Sequence, residues 1–299
     1  MSDEPGVERP VRELSRRGML AWAGTATSLA GLGAGGFFAS RAVGPRKERS
    51  SDGAGEGLEY PFYGEHQAGI ITPAQEQLHF AAFDVGSDQS REDLIELLRD
   101  WTYAASRLVQ GLSVSAGGAF EGNPLAPPDD TGEAADFGPC GLTITFGFGR
   151  SLFVDSEGRD RFGIADRMPK EFTKLPKMVN DFIQPAISEG DLCVQACAND
   201  PQVAVHAIRN LTRLAFGRAS LRWSQLGFGR ASSTSKEQQT PRNLFGQKDG
   251  TNNLKAEEPE KLAEHVWISE GPEWAHGGSY LIARKIMMTI EVWDGVRLE

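Results

Sequence analysis

Cysteine is scarce in this sequence, with three among 299 residues. So few cannot build a disulfide framework. Cys193 and Cys197 are four apart on a predicted strand, which would separate them by roughly 13 Å, too far for a bridge. We therefore interpret all three cysteines as small buried hydrophobic side chains rather than as disulfides or metal ligands.

Basic charge is also in deficit. The sequence contains 31 lysines and arginines and 41 aspartates and glutamates, which gives a net charge of −10. This argues against a nucleic-acid-binding surface. Phosphate-binding signatures are missing too: no glycine directly precedes Lys-Ser or Lys-Thr, and Gly147-Phe148-Gly149 lacks the third glycine of a dinucleotide fingerprint. No cluster of histidine, cysteine and carboxylate has the spacing of a zinc-like metal site.

The N-terminus has the pattern of a targeting segment. Arg16-Arg17 precede an apolar stretch, rich in glycine and alanine, that runs from Leu20 to about Ala39 without an acidic residue. Twin arginines before a weakly hydrophobic run indicate a twin-arginine export signal over residues 1–42, with cleavage near Ala39 to Val43. A single membrane anchor is the alternative, since about twenty residues can span a bilayer. Residues 43–58, charged and glycine-rich, form a predicted linker.

Hydrophobic periodicity predicts an α+β domain over residues 59–238. Ser90-Arg91-Glu92-Asp93 has the form of a capping box, and Asn199-Asp200-Pro201 that of a helix start. The predicted elements follow the order β-α-β-β-α-β, which is the ferredoxin-like split βαβ arrangement with an antiparallel sheet. Its strands are predicted at Gln77 to Val85, Leu142 to Phe148, Asp191 to Ala198 and Ser220 to Leu226. One helix is predicted after the first strand and another after the third.

Residues 239–299 contain one more strong strand pattern, Ser279 to Trp293, rich in β-branched and aromatic residues. A strand this apolar needs a sheet to pair with. We expect it to begin a second ferredoxin-like domain whose other strands lie outside this sequence, or to pair with the first sheet or with another chain.

Asp249 is the best candidate for a catalytic acid or base. It lies in the run Gly246-Gln247-Lys248-Asp249-Gly250-Thr251-Asn252, where glycines permit positive φ and close backbone approach. A carboxylate held in such a loop can move protons. Asp-Gly is also a favoured turn dipeptide, so the short motif by itself favours a plain turn over a catalytic loop.

A longer pattern around Asp249 resembles a known family. Phe245 to Asn253, then Gly277-Gly278-Ser279-Tyr280, and upstream Asp200-Pro201-Gln202-Val203 and His206-Ala207 are similar to the dye-decolourising (Dyp-type) haem peroxidases. The resemblance implies haem b held between two ferredoxin-like domains, with hydrogen peroxide and a small organic reductant such as a phenol or dye as substrates. It also implies that Asp249 is the acid/base residue and that Gly246, Gly250, Thr251 and Asn252 contact the haem.

The iron of such an enzyme needs an axial ligand, for which peroxidases use histidine. The family pattern places that histidine and a distal arginine after the Gly-Ser-Tyr strand, which implies further sequence beyond Glu299. Within this sequence His206 is interpreted as a packed core histidine, and His276 beside Gly277-Gly278 as the least implausible substitute ligand. Nothing around His66, His79 or His265 calls for a metal.

Three functions remain open. The first is an exported haem peroxidase of the periplasm, cell envelope or extracellular space. The second, within the same family, is a haem-handling protein that releases iron for an iron-uptake system and contacts components of that system. The third is a non-catalytic ferredoxin-like fragment. A homo-oligomer is compatible with all three.

Overall fold

A computed structural model describes residues 57–229 and 233–297. The export signal predicted for residues 1–42 lies outside these residues, as does nearly all of the predicted linker 43–58. No helix within the two described ranges is both long enough and apolar enough to cross a membrane.

The central feature is a four-stranded antiparallel sheet with strand order β2-β3-β1-β4. The elements run in the predicted order β-α-β-β-α-β, so the α+β, ferredoxin-like prediction is confirmed. Its main elements are β1 (Gln77–Val85), α1 (Arg91–Leu108), β2 (Thr143–Phe148), a short α2 (Arg150–Phe153), β3 (Leu192–Ala198), α3 (Pro201–Leu214) and β4 (Ala219–Phe228). Two short helices follow, α4 (Pro259–His265) and α5 (Ile290–Asp294).

Both long helices begin where local chemistry predicts. The Ser90 hydroxyl accepts a hydrogen bond from the main-chain N–H of Asp93 at 3.1 Å, and the Asp93 carboxylate accepts one from the N–H of Ser90 at 2.9 Å. This reciprocal pair is a capping box. At α3, the Asp200 carboxylate caps the first turn, and Pro201 occupies a position where no N–H is required.

The core lies between one face of the sheet and helices α1 and α3. Strand β3 shows the alternation that places it there: Leu192, Val194, Ala196 and Ala198 are buried, while the residues between them are half-buried. Trp101 of α1 is 1% exposed, and its indole Nε1 donates to a main-chain carbonyl of α3 at 2.8 Å. The two helices therefore share both apolar contact and a buried hydrogen bond.

The opposite face of the sheet is crossed by the segment that precedes β1. The Thr145 hydroxyl donates to the carbonyl of Ala68 at 2.6 Å, and the Gln195 amide donates to the carbonyl of Gly69 at 3.1 Å. Gly69 has φ +99°, and a Cβ there would lie 2.2 Å from the Thr145 hydroxyl oxygen. Only glycine allows this segment to lie so close to β2.

The strand predicted from Ser279 to Trp293 is wrong for this structure. Residues 279–289 form no strand, and α5 occupies Ile290–Asp294 instead. A strand is stabilised by inter-strand hydrogen bonds, and no described strand pairs with this segment. Its apolar side chains are consequently exposed, including Leu281, Ile286 and Met287. The predicted division between residues 59–238 and 239–299 stays a prediction.

Candidate active site

Asp249 closes a narrow loop that folds back on itself. The main-chain N–H of Asp249 donates to the carbonyl of Pro241 at 3.1 Å, and Arg242 and Lys248 form an isolated antiparallel bridge. Local hydrogen bonds therefore fix the position of Asp249 relative to the start of the loop.

The tip of this loop is a turn built on Asn243. The side-chain oxygen of Asn243 accepts from the N–H of Phe245 at 3.0 Å and from that of Gln247 at 3.2 Å. Such Asx turns are typical of asparagine. Gly246 has φ +77°, and no atom lies within 4 Å of the position that a Cβ would take. The glycine is thus required by backbone conformation, while its surroundings are open.

The Asp249 carboxylate is half-buried, and its Oδ1 atom accepts from the N–H of Gly250 at 3.0 Å. Gly250 has a left-handed φ of +61°. Asp249 forms no salt bridge with any lysine, arginine or histidine in the described part of the chain. Thr251 and Asn252 follow directly and are exposed. A carboxylate placed this way remains available to exchange a proton with a bound molecule.

The base of the loop is tied to the entry of the sheet. The Lys255 ammonium donates to the carbonyl of Ser233 at 2.6 Å and to its hydroxyl at 2.7 Å, and the Asn253 amide donates to the same carbonyl. Thr234 then accepts from the N–H of Ala74, three residues before β1, at 3.2 Å. These contacts connect the Asp249 loop to the folded domain.

The two halves of the sequence motif meet through aromatic rings. Phe245, next to Gly246, lies with its ring centroid 5.1 Å from that of Trp293 in α5. The segment after Gly277-Gly278 therefore reaches back to the Asp249 loop, although it does not form the predicted strand.

His206 is a core histidine, as predicted. It is 5% exposed, and its Nε2 lies 2.7 Å from Oδ1 of Asp130, which is 1% exposed. Burial raises the pKa of Asp130, but hydrogen bonds from His206 and from the N–H groups of Val114 and Gly132 outweigh it and hold the pKa at about 2. The hydrogen bond between His206 and Asp130 joins α3 to the loop before β2, so the role of His206 here is structural.

The other histidines do not come to the Asp249 loop. Across the described ranges, none of the five makes a hydrogen bond, ion pair or ring contact with residues 245–253. His276 is exposed, and its Nε2 lies 3.2 Å from the carbonyl of Gly271. His79 is half-buried, burial lowers its pKa, and its Nδ1 has no partner in the described structure. Within the same residues, no group of three or more potential metal ligands occurs.

The structure brings His66 into contact with Trp267 and Gly277, which no sequence pattern indicated. The imidazole of His66 stacks on the indole of Trp267 with centroids 3.7 Å apart, and its Nδ1 lies 2.7 Å from the carbonyl of Gly277. His66 and Gly277 are 211 residues apart, so no local spacing could reveal the contact. Gly277 has φ +74°, and a Cβ there would come within 3.0 Å of the Glu65 carbonyl oxygen. Gly277, which belongs to the family motif, therefore allows the chain to lie close to the segment that contains Glu65 and His66.

Two family models match the chain. The model for "Dyp-type peroxidase, N-terminal" matches residues 67–229, and the model for "Dyp-type peroxidase, C-terminal" matches residues 240–299. The first contains the four-stranded sheet, and the second contains Asp249, the Gly277-Gly278 pair and Trp293.

Curated relatives include deferrochelatases. That of Escherichia coli O6:K15:H31 is 38% identical over 99% of this chain and 67% of its own length. That of Escherichia coli K12 is 39% identical over 80% of this chain and 55% of its own length. The chain thus spans between about half and two thirds of the relatives that it matches.

Solved structures agree with this relationship. A DyP-type peroxidase from Streptomyces coelicolor superimposes with a TM-score of 0.70 at 36% identity, covering 81% of this chain and 61% of that one. An oxyferrous/water mixed complex of DtpA from Streptomyces lividans gives 0.69 at 36% identity with the same coverages. On the family models, the identity of the relatives and the shared fold, the chain belongs to the Dyp-type peroxidase family.

Proposed function

We propose that this protein is a haem-dependent peroxidase that reduces hydrogen peroxide and oxidises small organic donors, with Asp249 as its acid/base residue. The observation that carries the proposal is the state of the Asp249 carboxylate, which is half-buried on a glycine-flanked turn and has no cation paired with it in the described structure. The peroxidase relatives supply the reaction class.

The residues around Asp249 fit one side of a flat cofactor such as haem b. The space beside Gly246 is open, and Thr251 and Asn252 are exposed, so the edge of this loop can lie against a planar molecule. Gly246, Gly250, Thr251 and Asn252 would hold it through their main chains. We assign no described residue as axial ligand, because no histidine reaches this loop. When bound, haem would supply the redox-active iron at which peroxide is cleaved.

Asp249 would move the proton. Its carboxylate would accept a proton from one peroxide oxygen and return it to the other, which would leave as water. Bound haem would supply the two electrons for this O–O cleavage and take up the remaining oxygen. Gly250 orients this group by donating to Oδ1, and Oδ2 has no partner among the described residues. General acid/base transfer of this kind contributes about 10²- to 10⁴-fold in rate.

Haem binding tests the proposal directly. We expect the purified protein, supplied with haem, to show a Soret band and to oxidise a dye only when peroxide is present. Absence of a Soret band at saturating haem would reject peroxidase function and favour a non-catalytic role for this chain.

A second candidate function comes from the relatives named deferrochelatase. On this proposal the protein removes iron from haem and leaves the porphyrin intact, as part of an iron-uptake system. Chromatography of the products separates the two activities: iron-free porphyrin without dye oxidation favours iron release, and dye oxidation without free porphyrin favours the peroxidase.

We further propose that the protein leaves the cytoplasm by the twin-arginine route, on the basis of Arg16-Arg17 and the apolar run that follows. Changing both arginines to lysine should retain the protein in the cytoplasm. Unchanged export of the variant in cell fractionation would reject this route.

A further inference from the structure

Lys255 is a half-buried lysine whose ammonium group is held by neutral oxygens. It donates to the carbonyl of Ser233 at 2.6 Å and to the hydroxyl of the same residue at 2.7 Å, and Ser233 is 3% exposed. In the described part of the chain, Lys255 forms no salt bridge with a carboxylate. Withdrawing an ammonium from water is costly, and the two hydrogen bonds offset that cost. The visible role of Lys255 is therefore to hold Ser233.

This contact closes the segment of chain that contains Asp249. Ser233 and Lys255 are 22 positions apart, and Asp249 lies between them. Joining the two ends of a segment removes many of the conformations that the residues between them could adopt. The lysine thus restricts where the Asp249 loop can lie.

Lys255 makes the shortest hydrogen bonds near the C-terminal end of the Asp249 loop. The Asn253 amide also donates to the Ser233 carbonyl, but at 3.3 Å. The N–H of Ala256 donates to the carbonyl of the residue after Ser233 at 2.8 Å, one position farther from Asp249. We therefore expect Lys255 to be the main link on this side of the loop.

The segment that Lys255 grips is itself fixed against the sheet. The Thr234 hydroxyl accepts from the N–H of Ala74 at 3.2 Å. The neighbouring Gln75 amide then donates to the hydroxyl of Thr143 at 3.0 Å, and Thr143 lies in β2 with 0% exposure. A chain of hydrogen bonds therefore runs from the end of the Asp249 loop to the buried part of the sheet.

The other contacts of the loop set its shape more than its place. The bond from the N–H of Asp249 to the carbonyl of Pro241 lies within the loop. The ring of Phe245 does reach outside it, to Trp293, but Trp293 is 40% exposed and belongs to the short helix α5. The position of the loop relative to the sheet consequently depends on its base.

We propose that Lys255 is a positioning residue for the reaction, which acts by fixing the place of the Asp249 carboxylate relative to the bound peroxide. Lys255 itself exchanges no proton with the substrate. The proposal rests on the proposed peroxidase function, because it assigns Lys255 a role through Asp249. Displacement of a catalytic group by about 1 Å can lower a rate by about 10²-fold, so a link of this kind affects catalysis without touching the substrate.

Three variants separate the link from charge and from general stability. Lys255→Met keeps an unbranched side chain but has no donor, whereas Lys255→Arg keeps the charge and the donors. Lys261→Met is the matched control, because Lys261 is an exposed lysine of α4 whose ammonium lies 2.8 Å from Glu258. The main-chain bond from Ala256 to Thr234 remains in all three, so the fold should survive.

The first measurement needs no haem. Hydrogen–deuterium exchange of the full chain, followed by mass spectrometry, should show faster exchange over residues 241–253 in Lys255→Met, by at least about threefold, with β1 unchanged. Lys255→Arg and Lys261→Met should match the wild type. Unchanged exchange over residues 241–253, or an equal increase in β1, would overturn the proposal. Lys255→Gln, whose donor lies one bond nearer the main chain, serves if Lys255→Met does not fold.

The second measurement uses the haem-loaded protein, hydrogen peroxide and a dye. In Lys255→Met, kcat/KM for peroxide should fall by about 10- to 100-fold, while KM for the dye and the Soret spectrum stay those of the wild type. Lys255→Arg should restore most of the loss. An unchanged kcat/KM in Lys255→Met, or an equal fall in Lys261→Met, would overturn the proposal.

The two measurements also separate this proposal from the one on which it rests. If the wild type oxidises no dye, the proposed peroxidase function fails and the catalytic role of Lys255 fails with it, whatever the exchange rates show. If the wild type is active and Lys255→Met loosens the loop without loss of kcat/KM, only the positioning role of Lys255 is rejected.

Discussion

Nε2 of His206 lies 2.7 Å from Oδ1 of Asp130, and neither residue is more than 5% exposed. Asp130 also accepts from the N–H groups of Val114 and Gly132, at 3.0 and 2.7 Å. One carboxylate thus links Val114, near the start of the long loop between α1 and β2, to the later part of that loop and to helix α3. Removing either partner leaves the other buried and unpaired, which is costly.

This relationship predicts an acid-sensitive contribution to stability. The pKa of Asp130 is lowered from 3.8 to about 2 in the folded protein, so its contribution is present above pH 4 and is lost as the pH falls toward 2. By linkage it amounts to about 2 kcal/mol at neutral pH. Urea denaturation should show Asp130→Asn to be destabilised at pH 7, with a smaller difference from wild type at pH 3.

Asp136 supplies the control for that experiment, because it is an exposed aspartate in the same loop. Asp136→Asn should unfold with the wild type at both pH values. A stability gap for Asp130→Asn that does not narrow between pH 7 and pH 3 would contradict the role assigned to its ionised form.

Asp249→Asn should abolish most peroxidase activity without destabilising the protein. The amide cannot accept and return a proton, so the rate of peroxide-dependent dye oxidation should fall by about 10²- to 10⁴-fold. Stability should change little, because the carboxylate is only half-buried and has no ion-pair partner among the described residues. The Soret spectrum should match that of wild type, and Asp136→Asn again serves as control. Full activity in Asp249→Asn would refute the acid/base assignment.

Gly69 and Thr145 should show strong energetic coupling. Gly69→Ala places a Cβ 2.2 Å from the Thr145 hydroxyl oxygen, at a φ of +99°, so we expect a loss of about 2 to 4 kcal/mol in the free energy of unfolding. Thr145→Ala alone should cost about 1 kcal/mol, from its hydrogen bond to Ala68. The double variant should lose less than the sum, by at least about 1 kcal/mol. If urea denaturation shows that the free-energy losses of the two single variants simply add, the contact between the new Cβ and the Thr145 hydroxyl must be relieved by movement of other atoms.

Cys193 and Cys197 should resist alkylation in the folded protein. Burial raises the pKa of both thiols to about 11, so at pH 8 only about one in a thousand is a thiolate, the reactive form. Mass spectrometry after brief iodoacetamide treatment should find both unlabelled in the native state and labelled in urea. Both cysteines belong to β3 and are half-buried, and rapid labelling of either one without denaturant would contradict the burial that raises their pKa values.

Local patterns predicted most of the N-terminal domain. The Ser90–Asp93 capping box and the Asp200-Pro201 helix start depend on neighbours within three residues, so the sequence contains the whole signal. The run from Asp191 to Ala198 predicted strand β3 for the same reason. The Ser279 to Trp293 segment had an equally strong local pattern, yet it is not a strand here, because pairing is a property of two segments rather than one.

The sequence by itself determined the order of the elements, the caps of the long helices, and the family to which the Asp249 motif belongs. Tertiary structure decided which distant residues meet: Asp130 with His206, Phe245 with Trp293, and His66 with Trp267 and Gly277. Propensity and capping act between neighbours in the chain, whereas these contacts form only after apolar burial has folded the chain and brought remote segments within hydrogen-bonding and van der Waals distance.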